Sequence, residues 1–75
     1  MRHTSRKATN IDTRIGKRIR SERIKRGMTL KNVGDVIGVT FQQVRKYELG
    51  DNRITVCRLY ALAESWGMDI GDFLK

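Results

Sequence analysis

Apolar residues return at helical intervals in several separate stretches, most of them opened by Thr or Asp and closed by Gly. Over 12–26, Ile15 and Ile19 stand one turn apart while Arg and Lys cover the remaining face; Ile24 lies off that stripe, and Gly27 is placed to end the helix. Thr29 predicts an N-cap for a second helix over about 30–37, with Leu30, Val33 and Ile37 on one face. Its capping box is expected to be partial, because Asn32 stands where Glu or Gln would complete it. Gly38 breaks this helix, and Val39 inserts an apolar side chain into the turn. Thr40 caps a third helix over about 41–49, with Gln43 placed to complete a capping box and Gly50 to stop it.

A loop from Gly50 to Arg53 leads into a fourth helix from about Thr55 to Trp66, with Val56, Leu59, Leu62, Ala63 and Trp66 as expected core residues. Asp69 opens a last turn or short helix carrying Ile70, Phe73 and Leu74. The expected fold class is all-α: a compact bundle of about five short helices. The second and third, joined by three residues containing glycine, have the spacing of a helix-turn-helix. Residues 1–10 show no periodicity and read as a flexible basic N-terminal arm, leaving 11–75 as the helix-turn-helix domain.

At 100° per residue, Thr40, Val44 and Tyr47 point inward from the third helix, and Phe41 and Glu48 flank them. Gln42, Gln43, Arg45, Lys46 and Leu49 fall outside. Glutamine can pair bidentately with adenine, and arginine or lysine with guanine, so this face suits the major groove of DNA; an ordinary solvated helix face is the competing reading. A bare Glu48 carboxylate beside the core would repel phosphate and lose hydration. Arg23, near the end of the first helix, is the natural partner for a structural ion pair with it.

Charge sharpens the picture. The 75 residues hold 16 Lys and Arg against 8 Asp and Glu, a formal charge of +8. Residues 1–26 carry ten bases and two acids, and 27–75 carry six of each, so the whole excess sits in the arm and first helix. Such a distribution attracts a polyanion, and Arg2, Arg6 and Lys7 in the arm are candidates for phosphate or minor-groove contact. No stretch approaches the length of a membrane span, and the polar start lacks a signal peptide's apolar segment, so a cytoplasmic, nucleoid-associated location without membrane contact is expected. His3 and Cys57 are too few to build a zinc site or a catalytic dyad, so no metal, no cofactor and no catalytic residue is expected.

Residues 15–74 resemble the Cro and lambda-repressor-like (XRE, phage-repressor) helix-turn-helix family. Val33, Ile37, Val39, Val44 and Tyr47 stand at its apolar positions, Gly38 in its turn, and Arg23 and Tyr47-Glu48-x-Gly50 fit as well. The resemblance implies base reading by Phe41, Gln42, Arg45 and Lys46. It further implies backbone contacts by Thr29, Leu30 and Lys31 at the start of the second helix, by Thr40 and Gln43 at the start of the third, and by Asn52 and Arg53 in the following loop. Two positions depart from the family: Leu30 replaces its usual Gln, weakening base reading from the second helix, and Gly34 replaces its usual Ala where the helices cross closest. Phe41 suits either a thymine methyl or the thin core.

The expected function is a sequence-specific regulator of transcription that binds double-stranded DNA, acting as a homodimeric repressor at a short palindrome. The expected core comprises Ile15, Ile19, Val33, Ile37, Val39, Val44, Tyr47, Leu59, Leu62, Ala63 and Trp66. Met68, Ile70, Phe73 and Leu74 form the candidate dimer surface, unless they close the monomer's own core. An antitoxin that masks a toxin partner is one alternative. Another is an activator that touches RNA polymerase through Asp35, Glu48 or Asp51. No small-molecule ligand is expected.

Overall fold

The computed structural model describes residues 10–75; the arm candidates Arg2, Arg6 and Lys7 lie outside them. Four α-helices follow one another, α1 (Asn10–Lys25), α2 (Leu30–Ile37), α3 (Phe41–Leu49) and α4 (Val56–Trp66), and a short 3-10 helix (Ile70–Leu74) closes the described chain. Helix α1 includes Asn10, the last residue of the segment expected to be arm.

The caps explain the boundaries and reverse two expectations. Thr29 Oγ1 accepts from the Asn32 N–H at 3.0 Å, and Asn32 Oδ1 accepts from the Thr29 N–H at 2.9 Å, so the α2 box is complete with the shorter Asn side chain. At α3, Thr40 Oγ1 accepts from the Gln43 N–H at 3.2 Å, but the Gln43 amide donates to Asn52 Oδ1 at 3.1 Å instead of returning to the cap. Thr55 Oγ1 caps α4 through the Arg58 N–H at 3.2 Å.

One core joins Ile15 and Ile19 of α1, Val33 and Ile37 of α2, Val44 and Tyr47 of α3, and Leu59, Leu62, Ala63 and Trp66 of α4 to Ile54 and Phe73. Val39 packs half-buried against it from the turn. Val56 does not belong: it is 73% exposed, and Ile54, two residues ahead of α4, is buried instead. Phe73, offered as dimer surface, is fully buried with Trp66 at 6.3 Å between ring centroids, so the 3-10 helix closes the monomer.

Two close backbone crossings set how α1, α2 and α3 pack. A Cβ on Gly34 would lie 2.5 Å from the Val39 carbonyl oxygen, so the turn folds back tightly over α2 where an alanine would stand in the way. Gly16 crosses α3 more tightly still, with the Tyr47 and Glu48 carbonyls 2.2 and 2.7 Å from the same hypothetical atom. Gly38, at φ +77°, supplies the left-handed residue that turns α2 towards α3.

Glu22 is buried on α1 beneath three cations. Arg18 Nε lies at 3.2 Å, Lys25 Nζ at 3.5 Å, and Arg26 Nη1 donates a hydrogen bond to the carboxylate. Arg26 also donates to the Trp66 carbonyl at 3.0 Å and lies 4.8 Å over the indole, tying α1 to α4. The Arg26 hydrogen bond holds the Glu22 carboxyl below its ordinary value of 4.5; burial opposes this, and the neighbouring cations add to it. A depressed folded-state value makes Glu22 stabilising above pH 4.5, and that contribution fades as pH falls through the lowered value. Glu22→Gln should therefore flatten the acid limb of a stability-against-pH curve measured by urea melts below pH 4.5. An unaltered acid limb would place the acid sensitivity elsewhere.

Candidate nucleic-acid interface

Helix α3 lies against α1 and α2 through Val44, Tyr47 and Glu48, which leaves its opposite face to solvent. Gln42, Arg45 and Lys46 are exposed, as are Phe41 at 51% and Leu49 at 53%. Phe41 therefore stands outside the core. Gln43 is half-buried because its amide is bonded to Asn52.

Glu48 is withdrawn from this face. Arg23 Nε donates to Glu48 Oε2 at 2.6 Å and Arg23 Nη2 to Oε1 at 3.1 Å, a two-pronged pair. The remaining terminal nitrogen, Nη1, donates to the Met28 carbonyl at 3.0 Å, so one guanidinium fixes α1, the α1–α2 turn and α3 together. With side-chain exposures of 14% for Arg23 and 4% for Glu48, the pair removes the α3 carboxylate from any approaching phosphate. It also removes Glu48 from the candidate polymerase-touching patch. Asp35 is exposed but lies 3.1 Å from Lys31 Nζ.

Two helix N-termini flank the exposed face. Thr29 opens α2 and Thr40 opens α3, both threonines being exposed, and Lys31 stands in the first turn of α2. Unpaired N–H groups at such ends attract anions. Leu30 is half-buried against the core, which limits its side chain to packing and leaves its N–H as the group that could meet a phosphate. On the far side of α3, Asn52 accepts from Gln43 and donates to the Asp51 carbonyl at 2.9 Å. Arg53 Nε lies 3.3 and 3.2 Å from the two carboxylate oxygens of Asp12 in the first turn of α1.

The structure thus assembles the candidate reading residues, both candidate helix ends and the Asn52-Arg53 loop around one exposed helix. The sequence reading missed the Asp12–Arg53 pair and the Glu22 cluster. The second had a local signal, since Arg18, Lys25 and Arg26 lie at i−4, i+3 and i+4 from Glu22. Of the candidate dimer residues, Met68 and Ile70 are half-buried and Leu74 is 48% exposed. Among the described residues, no helix is long and apolar enough to cross a membrane.

The helix-turn-helix family profile matches residues 19–73. An uncharacterised HTH-type transcriptional regulator of Sinorhizobium fredii is 44% identical over 72 residues, covering 96% of this chain and 50% of that protein. Another from Rickettsia conorii is 43% identical over 65 residues, covering 87% and 52%. The chain spans about half the length of the curated relatives it matches. Among solved structures, the BldD DNA-binding domain of S. venezuelae superimposes with a TM-score of 0.75 at 28% identity, covering 89% of this chain and all of that one. The P22 c2 repressor, solved with a synthetic operator, superimposes with a TM-score of 0.74 at 24% identity, covering 81% and 92%, a likeness of fold. With its fold, its capped helix pair and its matched relatives in agreement, the chain belongs to the helix-turn-helix family of transcriptional regulators as a Cro and lambda-repressor-like DNA-binding domain.

Proposed function

We propose that the protein is a sequence-specific repressor that binds as a homodimer to a short palindrome, with α3 of each copy in successive major grooves. The observation that carries this reading is the exposed face of α3. Phe41, Gln42, Arg45 and Lys46 stand clear of the core there, while the one carboxylate of that helix is locked away on Arg23. Gln42 and Arg45 read base edges, Lys46 and Phe41 extend that footprint, and the starts of α2 and α3 with Asn52 and Arg53 grip the backbone. A single domain of this size makes few contacts, and two-fold pairing doubles them with half-sites about one helical turn apart. Leu74 and the exposed edges of Met68 and Ile70 are the part of the candidate dimer surface left over once Phe73 is buried.

Selection from a random duplex pool at about 0.15 M salt tests this directly. Enrichment of an inverted repeat supports the reading; a single half-site argues against the dimer; binding without enrichment, vanishing as salt rises, argues against sequence specificity and favours a protein partner such as a toxin. Arg45→Ala should lower affinity for the selected site by about 1–3 kcal/mol and relax preference at one base pair. Lys31→Ala should weaken all duplexes alike and reduce the salt slope by about one. A Lys31→Ala protein with altered base preference would reverse these assignments.

A further inference from the structure

We infer that Asp12 is a positioning residue for DNA binding, acting through Arg53; the inference rests on the DNA-binding face proposed above. Arg53 lies in the loop that follows α3, with its side chain 54% exposed, whereas the Asp12 side chain is only 6% exposed. The two are 41 residues apart in sequence and meet because α1 crosses α3 at Gly16. Arg53 reaches Asp12 through Nε, at 3.3 and 3.2 Å from the two carboxylate oxygens, so the terminal nitrogens of the guanidinium take no part in that pair. An arginine held in this way keeps the outer end of its planar fork for a second anion, and a phosphodiester oxygen fits that geometry.

Asp12 stands in the first turn of α1, where the helix dipole favours a charged carboxylate, so the anchor is itself anchored. The neighbouring residue is fixed as well: Asn52 accepts from Gln43 in the first turn of α3 and donates to the Asp51 carbonyl. The loop is thus tied to α3 through one residue and to α1 through the next. A rotamer-rich side chain restrained before binding loses less freedom when the DNA arrives.

The sign of one substitution separates this role from simple electrostatics. Removing a carboxylate from a DNA-binding surface should, by Coulomb's law alone, tighten binding and steepen the salt slope. Positioning by Asp12 predicts the opposite. Asp12→Asn should bind a random-sequence duplex of about 30 base pairs some three- to tenfold more weakly at moderate salt, with the slope reduced by up to about 0.9 per subunit. In an Arg53→Ala background, Asp12→Asn should cause no further loss, and the Coulomb effect alone should tighten binding slightly. Equal or tighter binding by Asp12→Asn, or an undiminished loss in the Arg53→Ala background, overturns the inference. If Asp12→Asn fails to fold by circular dichroism, Arg53→Lys decides: it keeps the charge but has no fork to share, so it should bind clearly more weakly than the wild type while retaining more affinity than Arg53→Ala, and wild-type binding by Arg53→Lys overturns the role. A wild-type protein that retains no duplex at any salt would defeat the DNA-binding reading and this inference together, an outcome distinct from either variant result.

Discussion

Arg23→Met is expected to lower the unfolding free energy by about 3–5 kcal/mol, as read from urea melts of the far-ultraviolet helix signal. Methionine fills similar space but leaves the Glu48 carboxylate buried without its two donors and the Met28 carbonyl without Arg23 Nη1. A domain of this size has a total stability of order 5–10 kcal/mol, so the variant should stand near its folding threshold at room temperature. Desolvation explains why the loss exceeds the value of the pair itself. Replacing both partners by apolar residues, Arg23→Met with Glu48→Leu, should recover much of the loss, because no orphaned charge remains. Glu48→Gln keeps the shape and one acceptor, so its cost should be smaller. A Glu48→Gln protein with an unchanged melt, beside a fully stable Arg23→Met, would mean that the pair does not hold α1 to α3.

Gly16→Ala is expected to destabilise by about 3 kcal/mol, the upper end of what an added methyl costs in a packed interior. Two effects compete. Alanine gains roughly 1 kcal/mol over glycine in a helix interior. Against this, the new Cβ would sit 2.2 Å from the Tyr47 carbonyl oxygen and 2.7 Å from that of Glu48, and these are backbone atoms of the facing helix that cannot rotate aside. The clash wins, and α1 must lift away from α3 or the helix must bend. Because the Arg23–Glu48 and Asp12–Arg53 pairs both span that crossing, DNA affinity should fall in the same variant even where it remains folded. Gly71→Ala serves as the control, since nothing lies within 4 Å of its hypothetical Cβ. A Gly16→Ala protein as stable as the wild type would show that α1 and α3 can part at this crossing at little cost.

Local chemistry made most of the helix boundaries legible. Thr29, Thr40 and Thr55 stand immediately before their helices, and glycines end them in left-handed turns, signals carried by single residues. The Arg23–Glu48 pair was also readable, because a carboxylate next to the core requires a partner and one arginine lay at the right end of α1. Val56 was misread because an apolar residue in the first turn of an amphipathic helix fits the period as well as one in the middle; the extended residue Ile54 reaches the core there instead. The exchange of capping roles between Asn32 and Gln43 turns on a tertiary contact, since Gln43 is drawn to Asn52. The Asp12–Arg53 pair left no trace in periodicity or composition, because it depends on how α1 crosses α3.

Trp66 is the sole tryptophan, 9% exposed, with the Arg26 guanidinium over its ring and its indole N–H 3.2 Å from the Met28 sulfur. Its fluorescence is therefore a built-in gauge of whether α1 and the turn after it are seated on α4. Emission should move to longer wavelength once those contacts part, and the far-ultraviolet signal follows all helices at once. Coincident midpoints from the two probes would identify a single cooperative transition. An earlier fluorescence change would identify release of the first helix as the opening step, in a protein whose α3 is held from behind by that same element.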